Sequence, residues 1–144
     1  MKLLVAIDFS EVTDKITAKV KELALKVNAK IWLIHVVQPE PDFVGYDVGP
    51  ETERDFMAKK FHEKHVKIQN IAKDLEKEGI KTTPLLVQGP TVETILNQAE
   101  KLNVDIIVSG SHGHGAMFRL LVGSISEGLL HNSSKPLLII PARK

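Results

Sequence analysis

Residues 104–126 read VDIIVSGSHGHGAMFRLLVGSIS. Residues 104–108 form an apolar run that suits a strand covered on both faces. Gly110, Gly113, Gly115 and Gly123 follow, set among hydroxyls, His112 and His114. Ser124 and Ser126 then open a short helical pattern carried by Ile125, Leu129 and Leu130. Glycine is costly in ordered backbone, so this many in one connection point to a special requirement. A phosphate cradle, a metal site and a plain corner are the three candidates.

Further apolar runs lie at residues 3–7, 31–37, 83–87 and 137–140. Most are continuous rather than alternating, the pattern of a buried parallel sheet. Between them run helical stripes. Ile16, Val20, Leu23, Ala24 and Val27 make the first; Met57, Phe61, Ile68, Ala72 and Leu75, ending near Gly79, make the second; Val92, Ile95, Leu96, Ala99 and Leu102 make the third. The order βαβαβαβαβ with right-handed crossovers gives a doubly wound α/β fold. One segment breaks the rhythm: residues 38–50, QPEPDFVGYDVGP, form a loop that is either a connector or a lid.

The chain has 144 residues, which suits a single domain over 1–144, and its 43% hydrophobic content allows a core without staples. A net charge of +1 with mixed signs offers no basic stripe for nucleic acid. The absence of cysteine excludes disulfides and thiolate metal sites. MKLLVAID begins like a signal peptide, but Asp8 ends the apolar run too early. No segment approaches the roughly 20 apolar residues of a membrane span. A soluble cytoplasmic protein is expected.

In open α/β sheets ligands bind beyond the carboxyl ends of the strands, where strand order reverses. The first and fourth strands flank that point, so the Asp8-Phe9-Ser10 turn should meet the loop after Ser109-Gly110. The loop is no Walker A, since no Gly-Lys-Ser/Thr follows its glycines, and no dinucleotide fingerprint, since it follows the fourth strand. It nevertheless has the parts of a phosphate cradle: glycines that let N–H groups approach an anion, and Ser124 and Ser126 at a helix start. His112 and His114 lack the third ligand that zinc needs, so no metal site is expected from the protein alone. His35, His65 and Trp32 read as packed residues. His62 and His131 have no constellation. Asp105 is expected to orient the loop after the fourth strand or cap a turn, and the lysines of the second helix to form a solvated face.

Gly110-x-x-Gly113, nine residues, then Gly123-Ser124 resembles the G-2x-G-9x-G-S/T motif of the nucleotide-binding universal stress proteins. LLVAIDFSE, IHVV, VDIIVSGSHG and SSKPLLIIP are similar to the same family, so the likeness runs through essentially the whole chain. It implies a five-stranded parallel sheet of order 3-2-1-4-5 with helices on both faces, of the adenine nucleotide alpha hydrolase-like kind. It also implies binding of ATP, or of ADP or AMP, with Mg²⁺ or Mn²⁺ on the phosphates. By this resemblance Asp8 lies near adenine and ribose, and Val36 borders the base. Gly110, Gly113, Gly123, Ser124 and Ser126 surround ribose and phosphates, with Ala6, Ile7, Ser109, His112 and Ile125 beside them. The family's pairing of last strands implies a homodimer through Pro136 to Pro141. The implied role is regulatory, in a stress response, with a client protein that the sequence does not name. The alternative is a slow ATP hydrolase or nucleotidyl-transfer enzyme of the same superfold. Against it, DFSEVTD after the first strand has neither a HIGH-type histidine pair nor an SGGxDS-type loop. There is also no general base beside the phosphates and no lysine placed like a Walker lysine.

Overall fold

The computed structural model describes residues 1–38, 50–111 and 123–142. Residues 38–50, read as a lid or connector, lie almost wholly outside the described residues, and His112, Gly113, His114 and Gly115 lie wholly outside them.

The elements alternate in chain order: β1 (Lys2–Ala6), α1 (Val12–Val27), β2 (Lys30–Val37), α2 (Pro50–Lys77), β3 (Thr82–Gln88), α3 (Thr91–Leu102), β4 (Ile106–Gly110), α4 (Ser124–Asn132) and β5 (Leu137–Ile140). The strands form one sheet of order β3-β2-β1-β4-β5, and every pairing is parallel. β1 is central, with Leu4 beside Trp32 of β2 and Ile107 of β4.

Alternation along the strands divides the interior into two cores. Leu3, Val5, Ile31 and Leu33 pack with Ile16 and Val20 of α1 and with Ile68, Ala72 and Leu75 of α2. Leu4, Trp32, Ile34 and Ile107 pack on the other face with Ile95 and Ala99 of α3 and Leu129 of α4. Each fully buried Leu, Ile or Val contributes about 1.5–3 kcal/mol relative to exposure, so the continuous apolar runs follow from having two faces to bury. Among the described residues no helix is long and apolar enough to cross a membrane.

Helix ends follow local chemistry. Asn28 and Asn103 take left-handed backbone at the ends of α1 and α3, with φ of 53° and 50°, and their N–H groups return to Ala24 and Ala99. Asparagine tolerates that region better than most residues. Gly79, at φ +84°, turns the chain after α2, as its position in the sequence suggested.

Several expectations need correction. β1 ends one residue earlier than expected, and β4 runs two residues later, over Ile106–Gly110. Asp105 therefore precedes β4, at the end of the strand away from the glycine loop, and its Oδ2 accepts the Lys2 N–H at 2.7 Å, tying β4 to β1. His65 is exposed rather than packed, and Phe61 is 39% exposed. Above Ile68, α2 reaches the level of the strand ends and has less sheet to cover. Leu130 is 65% exposed, because its neighbour Leu129 holds the buried side of α4.

Candidate functional site

β1 leads through α1 to β2 on one side, and β4 leads through α4 to β5 on the other. Their carboxyl ends are thus left uncovered between the two connections. A cavity of about 810 Å³ opens there. Its floor is Ala6 and Ile7 of the β1 end, Ile34, His35 and Val36 of β2, and Ser109 and Gly110 of β4. Its walls are Asp8, Phe9, Val12 and Ile16 from the start of α1, Thr91 and Ile95 from α3, and Gly123, Ser124, Ile125 and Ser126 from α4. Every residue singled out from the sequence that lies among the described residues lines this one cavity: Ala6, Ile7, Asp8, Val36, Ser109, Gly110, Gly123, Ser124, Ile125 and Ser126.

The glycine loop is fixed at both ends. The Gly123 N–H donates to the Ser111 carbonyl at 2.7 Å, and the Ser111 N–H donates to the Ile140 carbonyl at 2.9 Å. The Ala142 N–H adds a bond to Ser111 Oγ at 2.9 Å. Ser126 is 2% exposed, and its hydroxyl donates to the Gly110 carbonyl. That bond holds the first turn of α4 against the end of β4. Gly123 has φ −60° and ψ 153°, an extended conformation open to any residue, and it supplies no side-chain cap. Its value is the missing Cβ, which leaves the N-terminus of α4 open toward the cavity. Free N–H groups and the helix dipole there favour an anion.

The opposite wall is organised by a turn. Asp8 Oδ1 accepts the Ser10 N–H at 2.9 Å, an Asx turn that directs the chain from β1 into α1. Phe9 is consequently held at φ +61°, a left-handed conformation costing roughly 1–2 kcal/mol for a residue with a Cβ. Its ring lies 4.6 Å from that of His35, tilted by 48°. The His35 ring is 9% exposed, and its Nδ1 meets the Ile7 carbonyl at 2.8 Å. A carbonyl can only accept, so Nδ1 carries the proton. At the β2 rim Gln38 Nε2 donates to Thr91 Oγ1 at 3.0 Å, linking β2 to the start of α3.

Among the described residues no three of His, Asp and Glu gather as a metal site. A divalent ion here would take its remaining ligands from ligand oxygens and water, as Mg²⁺ usually does.

The sequence reading missed part of the wall. Phe9 and His35 line the cavity, and so do Lys64 and Lys67 of α2, which were expected on a solvated face. Their spacing of three residues places both on one side of a helix, which is the signal available in the sequence.

The sequence profile of the universal stress protein family matches residues 1–141. The universal stress protein MJ0577 of Methanocaldococcus jannaschii is 31% identical, over 96% of this chain and 93% of that protein. A solved structure of MJ0577, reported as a structure-based assignment of biochemical function, superposes with a TM-score of 0.87 at 32% identity, covering 99% of this chain and 96% of that one. The universal stress protein from Archaeoglobus fulgidus in complex with dAMP shares the fold, with a TM-score of 0.65 at 19% identity over 97% of each chain.

Ser126→Ala leaves the Gly110 carbonyl only the longer contact from the Ser109 hydroxyl, at 3.3 Å, and should cost about 1 kcal/mol. Urea unfolding measures this. A loss below roughly 0.5 kcal/mol, the usual range for surface changes, would show that the bond does not hold α4 to β4.

Proposed function

The chain belongs to the universal stress protein family, and from that premise we propose that it is a stress-response regulator that binds ATP in the cavity at the carboxyl ends of β1 and β4. One observation carries this reading. Asp8, Gly110, Gly123 and the uncapped start of α4, separated in sequence, converge on one cavity of nucleotide size. Ligand pockets run to about 300–1,000 Å³, and this cavity falls in that range.

The roles follow from the chemistry of each part. The open N-terminus of α4 receives the phosphates, with Gly110 and Gly123 giving their oxygens room and the Ser124 hydroxyl in reach. Asp8, on the cavity wall beside the β1 end, is the carboxylate placed to accept a ribose hydroxyl. Ala6, Ile34, Val36 and Ile125 offer apolar surface to the base. Mg²⁺ or Mn²⁺ neutralises phosphate charge, with phosphate oxygens and waters as its main ligands. That a protein of this fold has been solved in complex with dAMP supports an adenine nucleotide as the class of ligand. The glycine loop carries no Gly-Lys-Ser/Thr of the Walker kind, and we take hydrolysis to be slow and the output regulatory. We assign the protein to the cytoplasm on the same family grounds.

We also propose a homodimer. β5 is an edge strand whose Leu137, Leu138 and Ile139 are only partly covered, and Pro136 and Pro141 bracket it. A bare apolar edge invites pairing, and a two-fold contact presents the same patch on both copies. The exposed Leu130 of neighbouring α4 extends the apolar surface.

Gly123→Val suits the existing backbone, so lost binding would report the new side chain rather than strain. Calorimetry should find ATP affinity reduced at least about tenfold, equivalent to roughly 1.4 kcal/mol. Unchanged affinity would mean that the loop is not the cradle. For the dimer, Leu138→Lys combined with Ile139→Lys, both at half-covered positions, should halve the mass seen by light scattering. A double variant with the wild-type dimer mass would place the contact elsewhere, and a monomeric wild type at micromolar concentration would end the proposal.

A further inference from the structure

We propose that Lys64 and Lys67 form a second, cationic wall of the cavity and make it discriminate by ligand charge, favouring a polyphosphate over a monophosphate or a neutral nucleoside. The inference rests on the nucleotide reading and deepens it. Both lysines line the cavity from α2, across from the start of α4. Their height is set by Ile68, the next residue after Lys67, which is 0% exposed and locks the helix onto the sheet.

The charges around the cavity are unbalanced. Among the described residues its charged lining consists of Asp8, Lys64 and Lys67. Four lysines elsewhere pair with carboxylates, Lys19 and Lys26 with Glu22, Lys21 with Glu78, and Lys77 with Asp74. Among the described residues Lys64 and Lys67 have no such partner. Instead, Lys67 Nζ lies 5.7 Å from the centre of the Phe9 ring. A ring face attracts a cation at that range and keeps the ammonium on the cavity side. Phe9 is a firm seat, held by the Asp8 turn and backed by the buried His35 ring.

A ligand therefore meets positive potential from two directions, the α4 dipole on one side and two ammonium groups on the other. A monophosphate can be satisfied at α4 alone. The added charge of a triphosphate gains from both walls, and a cavity with apolar flanks strengthens that gain over open water. If the lysines only solvated the helix, ligand charge would make no difference to what their removal costs.

The test is calorimetry on wild type, Lys64→Gln, Lys67→Gln and the double variant, with ATP, AMP, adenosine and inorganic tripolyphosphate at two salt concentrations. The double variant should lose about tenfold or more in affinity for ATP and tripolyphosphate, as expected for two salt-screened charge contacts at a partly open wall. Adenosine binding should stay within about twofold, AMP should fall in between, and the salt dependence of ATP binding should become shallower. Lys67→Arg should retain the preference, because it keeps the charge. ATP affinity unchanged in the double variant would overturn the proposal, as would equal losses for ATP and adenosine. Tripolyphosphate separates this proposal from the reading beneath it. If wild type binds tripolyphosphate through the two lysines but binds no adenine compound, the nucleotide reading falls and the cationic wall stands. If tripolyphosphate binding ignores both substitutions, the cationic wall falls.

Discussion

Two adjacent parallel strands whose connections depart in opposite directions cannot both be covered at their carboxyl ends. β1 and β4 stand in this relation, and the rest of the molecule is arranged around the gap they leave. α1 and α2 close one face and α3 and α4 the other, which buries the central strands β2, β1 and β4 and makes the frame stiff. The uncovered ends then become a place where backbone N–H groups, a carboxylate and two lysines can face a common volume.

The rim of that volume is held by single polar bonds between elements rather than by apolar packing. Ser126 joins α4 to β4, Ser111 joins the glycine loop to β5, His35 joins β2 to the end of β1, and Gln38 joins β2 to α3. Each bond is worth only about 0.5–1.5 kcal/mol in net stability. Their larger effect is positional. They place the α4 terminus and the Asp8 turn on opposite sides of the cavity with no side chain at Gly110 or Gly123 to fill it.

The strands were legible because a strand buried on both faces must be apolar throughout, and runs such as 31–37 have few other uses. The boundaries were less so. Asp105 sits inside an apolar run and still lies outside β4, because a carboxylate can be kept at a strand's start when it has an N–H to accept. Amphipathic stripes located α1 and α3 well. They overstated α2, whose upper turns rise past the sheet, so His65 and Phe61 keep a helical spacing without a core to meet. The glycine motif located the floor and one wall of the cavity. The other wall was hidden by composition, since lysines on a charged helix read as solvated until the fold shows which turn faces the strand ends. Phe9 was hidden for a different reason: its left-handed backbone follows from the Asp8 turn, which a spacing rule does not reveal.

The central claim is that the ends of β1 and β4, with the start of α4, hold an adenine nucleotide. Amide chemical shifts recorded during titration with ATP and Mg²⁺ test it most directly. The expected result is a saturable change at Ile7, Asp8, Gly110, Ser111 and Ser124 to Ser126, with Ala29, Asp105 and Lys81 at the other end of the sheet unmoved. Changes centred at that other end, or none at millimolar ATP, would contradict it.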